Sequence, residues 1–272
     1  MQSNDSVYEF GQRCFIAVSE SVARLHSVDR FFSFATNNEL EAQSREPTVA
    51  STIGPVDLRL DTTAQGGLEL QWHKSGHDKE LKFHIDFVKQ LKSLRSFPAP
   101  KQGAFNQALG KKTQTILDAT GGWGNDAMLM ATQGYAVRVL ERNPLMALLL
   151  EDAFGRLRDF VDFNNSPIVP PTVTFSDSIE CIGKHSSIVD CVYLDPMFPE
   201  KRKKSASANK QMQLLQWMLG EDVDAENLLK AAVTAKAKRV SVKRPDYATP
   251  LLREPDQRFS SKLVHYDVYL VN

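Results

Sequence analysis

Asp195-Pro196-Met197-Phe198-Pro199 sets a carboxylate, two prolines and an aromatic ring side by side. That grouping suits a poor nucleophile, the exocyclic amino group of a base, whose lone pair is delocalised into its ring. Asp195 and the carbonyl of Pro196 can accept the two amino protons and aim the nitrogen at an electrophilic methyl group. Proline has no N–H, so the turn offers acceptors rather than donors. Phe198 can stack on a base drawn out of its surroundings, a contact worth ~1–3 kcal/mol. Much of the rate would then come from positioning two reactants, with little call for strong base catalysis. The plainer reading is a strand end closed by proline.

A second group lies upstream. Asp118-Ala119-Thr120-Gly121-Gly122-Trp123-Gly124-Asn125-Asp126 follows a short apolar run. Glycines let the backbone turn sharply and let a cofactor approach without Cβ collisions, and a helix beginning at the end of the turn offers unpaired N–H groups. Glu141, at the end of the next apolar run, can accept both hydroxyls of a ribose. Gly122-x-Gly124-x-x-Ala127 also satisfies a dinucleotide fingerprint, with Glu141 near the expected ribose-acid offset. Asp118 and Asp126 favour a cationic cofactor, S-adenosylmethionine, because both would repel a pyrophosphate. A nicotinamide-dependent oxidoreductase is the rival. An ordinary strand-to-helix connection is the uneventful alternative. Asp177 and Ser178, in Ser176-Asp177-Ser178, can meet an adenine edge or cap the next helix.

The third group is basic. Lys201-Arg202-Lys203-Lys204 follows the Asp195 motif directly, and Lys243-Arg244 closes a later apolar run. Charges this dense repel one another unless an anion is present. Beside a base pocket they read as a footprint for an RNA backbone, although such a run alone also suits a solvated surface. A non-catalytic RNA-binding module is therefore a second rival.

These groups need elements that bring them to one edge. From residue 112 onward the order is strand (115–118), helix (126–132), strand (136–140), a leucine-rich helix opened by Asn143-Pro144, strand (173–175), strand (188–194), two helices (209–218 and 225–237), strand (239–242) and a last strand (265–271). The last strand can form a hairpin with 259–263. Asn143 is an N-cap and Pro144 suits the first helical position. The alternation predicts an α/β fold, a mainly parallel sheet with helices on both faces. In such sheets ligands bind beyond the carboxyl ends of the strands, where the motifs above fall. Upstream, residues 57–61 and 68–72 alternate with period two around Gly66-Gly67, which reads as a β-hairpin. Residues 36–52 read as a loop and 96–103 as a linker or ordered connection. The expected division is 1–100, a smaller mixed α+β region, and 101–272, the cofactor-binding domain.

Composition narrows the classes. The 272 residues carry 33 basic and 33 acidic side chains, so any nucleic-acid contact must come from local clustering. No apolar run approaches the ~18 residues of a membrane span. The start, MQSNDSVYEF, lacks the basic and apolar pattern of a secretion signal. The three cysteines share no CxxC spacing, which argues against a disulfide framework and a thiolate zinc site. His73 and His77, four apart with Gly76 between them, do not make a metal site. The expectation is a cytoplasmic protein without a metal, not bound to a membrane and acting as a monomer.

Taken together, LKFHIDFV (81–88), KQGAFNQALG (101–110), DATGGWGNDA (118–127), VLERNP (139–144), VYLDPMFP (192–199) and VKRPDYATPL (242–251) make the chain resemble the bacterial ribosomal RNA small-subunit methyltransferase J family over roughly residues 56–272. The resemblance implies a Rossmann-like class I methyltransferase fold. It also implies S-adenosylmethionine as methyl donor and the N2 amino group of a guanine in 16S rRNA, free or in the small ribosomal subunit, as substrate. Cofactor contacts would fall on Asn125, Asp126, Glu141, Arg142, Asp177, Ser178 and Asp195. The chain departs from the family's pattern at Gly122, Asn125 and Asp177. It also has Met197 where many amino-methylating enzymes have a second proline.

Overall fold

The computed structural model describes residues 6–10, 14–18, 22, 48–49, 58–73, 80–185, 189–197, 210–219, 224–235 and 237–271. Two sheets share one apolar core. The first has six strands in the order β3-β1-β2-β4-β5-β6: β1 (Ser6–Phe10), β2 (Cys14–Val18), β3 (Thr48–Val49), β4 (Leu58–Thr62), β5 (Leu68–Trp72) and β6 (Leu81–His84). The expected hairpin is β4–β5, with Leu60 opposite Leu70 and both fully buried. The loop expected over 36–52 contains β3, and β6 extends the hairpin. Two short helices follow, α1 (Phe87–Lys92) and α2 (Gly103–Leu109). The segment between them is an ordered connection: Ala99 N–H donates to Thr132 O and Gln133 Nε2 to Pro100 O.

The second sheet holds β7 (Thr115–Asp118), β8 (Ala136–Glu141), β9 (Thr172–Phe175), β10 (Cys191–Leu194), β11 (Arg239–Pro245), β12 (Gln257–Ser260) and β13 (Val264–Leu270), ordered β12-β13-β11-β10-β7-β8-β9. Five strands, β7 to β11, run parallel; at one edge β13 pairs antiparallel with β11, and β12 pairs antiparallel with β13. The chain winds outward from β7 through β8 and β9, then returns to β7's other side as β10. The reversal between β7 and β10 opens a crevice at their carboxyl ends.

The helices between strands are α3 (Asn125–Thr132), α4 (Pro144–Phe163), α5 (Ser178–His185), α6 (Lys210–Leu219) and α7 (Ala225–Thr234). Period-two alternation divides the central strands between two cores. Ile116, Val139, Cys191 and Tyr193 pack on the face of α3, α4 and the first sheet, whereas Leu117, Leu140, Val192 and Leu194 pack with α5 and α7. Every residue of β10 is buried, as expected for a central parallel strand covered on both faces.

Local signals set α4. Asn143 Oδ1 accepts from Met146 N–H at 3.0 Å and Pro144 occupies the first turn. The same helix fastens the first sheet: Asp152 Oδ2 accepts from Leu68 N–H at 3.1 Å, Arg156 Nη2 donates to Ile85 O at 2.7 Å, and Phe154 stacks on Phe87 with centroids 5.0 Å apart. Among the described residues no helix is long and apolar enough to cross a membrane.

Candidate active site

The crevice is a cavity of about 250 Å³ at the carboxyl ends of β7, β8 and β10. It draws together Asp118, Gly121, Gly122, Gly124, Asn125 and Asp126 from the β7–α3 turn, Glu141 and Arg142 from the end of β8, Asp177 and Ser178 from the end of β9, and Asp195 from the end of β10. These residues, separated by up to 77 positions in the chain, were each expected at a ligand site, most from their place at the strand ends and Asn125 and Arg142 as contacts from the family resemblance. Thr120, Tyr193, Asp224 and Lys243 also line it.

The glycines divide by role. Gly124 has φ +70°, and a Cβ there would come within 2.6 Å of Leu150 and 3.0 Å of Phe87. Core packing thus excludes a side chain at Gly124. Gly122 has φ +51°, but its Cβ would meet nothing nearer than Thr120 O at 3.9 Å. The space above Gly122 is the cavity itself. Trp123 anchors the turn from behind, its ring 5.7 Å from Phe83 and its Nε1 donating to Gln211 O.

Each carboxylate is held by backbone donors or by its neighbours. Glu141 Oε2 accepts from Gly122 N–H and Oε1 from Asn143 N–H, both at 2.7 Å. Burial pushes its pKa up to about 6 against those donors. Asp118 Oδ1 accepts from the Thr120 N–H at 3.0 Å and from its hydroxyl at 3.2 Å. Burial, then the Asp126 and Asp195 charges, push Asp118 up to about 7. Asp177 is exposed and accepts from Ile179 N–H at 2.7 Å, while Ser178 Oγ donates to Ala119 O at 2.7 Å. Both therefore serve the start of α5 and the β7 turn as well as lining the cavity.

At the mouth, Tyr193 Oη donates to Asp126 Oδ2 at 2.6 Å. Lys243 Nζ donates to Asp126 Oδ2 at 2.9 Å and to Asp195 Oδ2 at 2.8 Å. Loss of water in the crevice raises the Asp195 pKa to about 6; Lys243 opposes this and Asp126 adds to it. Burial works against charge on Lys243, but Asp195 and Asp126 outweigh it and hold the ammonium pKa above its ordinary value.

Three expectations need correction. Lys243, read as a phosphate contact, is a cavity residue engaged by two carboxylates, with its side chain 26% exposed. Arg244 turns to the opposite face because neighbours on a strand alternate; it is 5% exposed and Nη2 donates to Thr249 O. Pro196 is buried and does not line the cavity, so Asp195 is the acceptor of that pair that faces it. Phe198 and the stretch Lys201, Arg202, Lys203 and Lys204 lie outside the described residues. Thr120, Tyr193 and Asp224 gave weaker signals. Thr120 and Tyr193 adjoin motif residues, and Asp224 pairs with Arg142 Nη1 at 2.7 Å across 82 positions.

Among the described residues, six carboxylates line the cavity (Asp118, Asp126, Glu141, Asp177, Asp195 and Asp224) against two cations, Arg142 and Lys243. That donor set fits a cationic ligand and repels a pyrophosphate, which removes the physical basis for the dinucleotide reading.

Comparison with known proteins agrees. A family model described as "Putative SAM-dependent methyltransferase" matches residues 55–271. The chain is 36% identical to the ribosomal RNA small subunit methyltransferase J of Shewanella denitrificans, over 82% of this chain and 94% of that protein. It is 40% identical to its counterpart from Legionella pneumophila, over 68% and 74% of the two chains. A solved SAM-dependent methyltransferase from Neisseria gonorrhoeae shares the fold with a TM-score of 0.58 at 21% identity, over 94% and 95% of the chains. By the family match and the 36% identity over most of its length, this chain belongs to the SAM-dependent methyltransferase family that includes ribosomal RNA small subunit methyltransferase J.

Proposed function

We propose that this protein methylates the N2 amino group of a guanine in 16S rRNA of the small ribosomal subunit. The observation that carries the proposal is Asp195, set at the end of β10 on the rim of an acidic cavity floored by the Gly121–Gly124 turn. S-adenosylmethionine, when bound, supplies a methyl group on a cationic sulfur. The relatives named for small-subunit rRNA methylation support the choice of RNA.

The residues take the following roles. Glu141, held in place by the Gly122 and Asn143 N–H groups, turns its carboxylate into the cavity, where it can accept from ribose hydroxyls. Asp118 and Asp126 favour the cofactor's positive charge, and Gly122 leaves room for its close approach. Asn125, Gly121 and Gly124 shape the turn, while Arg142, Asp177 and Ser178 border the adenosine side. Asp195 accepts a hydrogen bond from the guanine amino group, aims its lone pair at the methyl carbon, and takes the proton the nitrogen releases as the N–C bond forms and the methyl–sulfur bond breaks, its electron pair staying on sulfur. With a pKa near 6 it is ionised at neutral pH and able to do so. Phe198 stacks on the base, and Lys201 to Lys204 meet the RNA backbone. The same reading places the protein in the cytoplasm, with the ribosomal subunits.

The test is methyl transfer to purified small subunits lacking the modification, followed by mass-spectrometric mapping. Wild type should add N2-methylguanine at one position, and Asp195→Ala should lose roughly 100-fold or more in rate. Methylation by Asp195→Ala at the wild-type rate, or methyl groups on another atom, would overturn the proposal.

A further inference from the structure

Lys243 lines the cavity, and two carboxylates converge on its ammonium. The sheet register explains the meeting. Leu194 pairs with Val242, so Asp195, the first residue past the end of β10, comes level with Lys243 in the neighbouring strand β11. Asp126 arrives from the first turn of α3, and Tyr193 Oη bonds it from the preceding position of β10. Phe105 of α2 meets the Tyr193 ring edge-on at 5.7 Å and keeps that hydroxyl in place. Among the described residues, the groups facing Asp195 are therefore Lys243 of β11, Asp126 of α3, Asp118 of β7, Tyr193 of β10 and Tyr266 of β13. Lys243 is the one cation among them.

We infer that Lys243 is the positioning residue for Asp195: its ammonium bridges Asp195 and Asp126, fixes the Asp195 carboxylate at the rim and keeps it ionised for the incoming amino group. Without the bridge, three aspartates would face one another in a half-dry crevice. Asp195 would then take up a proton or swing away from Asp126, and in either case stop acting as an oriented acceptor. The inference rests on the amino-methylation reading for its consequence in catalysis, but not for the geometry.

The experiment compares wild type with Lys243→Met and Lys243→Arg. The first readout is the carboxyl-carbon NMR titration of Asp195 in cofactor-free protein, which needs no substrate. Lys243→Met should raise its midpoint by more than about one pH unit, and Lys243→Arg should return it toward wild type. The second readout is methyl transfer to small subunits as a function of pH. In Lys243→Met, kcat should fall roughly 100-fold, with its acid limb shifted upward, while KM for RNA changes little. An unmoved Asp195 titration overturns the inference even if activity falls. A loss confined to KM for RNA, with a weaker salt dependence, would also overturn it and return Lys243 to a phosphate contact. If wild type fails to methylate small subunits, the substrate reading falls, and the NMR titration alone still decides the role of Lys243. Should Lys243→Met not fold, Lys243→Gln with the same titration takes its place.

Discussion

Thr120 Oγ1 accepts the backbone N–H of Asp195 at 2.7 Å while its own proton is directed to Asp118 Oδ1 at 3.2 Å. One hydroxyl thus ties the tips of β7 and β10 together and connects two carboxylates of the cavity. Thr120→Val keeps the shape but leaves the Asp195 N–H without its acceptor, which should cost about 1–3 kcal/mol in stability. Methyl transfer should fall more than about tenfold, since small misplacement of reacting groups is expensive. Thr120→Ser should restore both. Urea denaturation and initial rates on small subunits check the pair.

The two positive-φ glycines of the turn should respond differently. Gly124→Ala forces a methyl group against Leu150 and Phe87, so strain and overpacking together should remove about 3 kcal/mol or more. Gly122→Ala meets open space, and its cost should stay near about 1–2 kcal/mol. Its methyl group projects toward the cofactor, so S-adenosylhomocysteine affinity should drop instead. Thermal melts and calorimetric titrations separate the two effects. Equal destabilisation by both variants would contradict the division of roles.

Burial lifts Asp118 to about 7 and both Glu141 and Asp195 to about 6, all above their unfolded values. Groups shifted this way favour the folded state fully below the unfolded pKa and lose that contribution as pH rises through the folded one. The cofactor-free protein should therefore lose stability between about pH 4 and 7 through these three groups. A cationic cofactor reverses the balance by favouring the ionised forms. Its binding should release protons and tighten as pH rises toward about 7, which calorimetry in buffers of different ionisation enthalpy will detect. Asp118→Asn should reduce both the proton release and the pH dependence.

Replacing Lys201, Arg202, Lys203 and Lys204 by uncharged residues should weaken rRNA binding. The slope of log affinity against log salt should fall by up to about 3. Affinity for S-adenosylhomocysteine should stay within a factor of about two if, as proposed, the strand-end residues hold the cofactor. A large loss of cofactor affinity would place the stretch in the cavity.

Local chemistry made much of this protein legible in the chain. Asn143-Pro144 announced the start of α4, glycines at 121, 122 and 124 marked the turn, the apolar run at 115–118 ended in an acid, and the run at 188–194 was followed by one, Asp195. These signals are short-range, set by caps, φ preferences and hydrophobic period, and they sufficed for an α/β sheet with its ligand edge at the strand ends. The strands β1 to β3 and β6 escaped notice because short polar-mixed segments acquire their pairing from neighbours far along the chain. Lys243 shows the same limit within the site. Its sequence neighbours, Arg244 and Pro245, made it look like part of a basic patch. Tertiary structure alone decided that strand alternation sends Arg244 the other way and that the β10–β11 register delivers Lys243 to Asp195, 48 positions distant, and to Asp126, 117 distant. A side chain's partners across a sheet depend on register and crossover, and neither is written in the residues on either side of it.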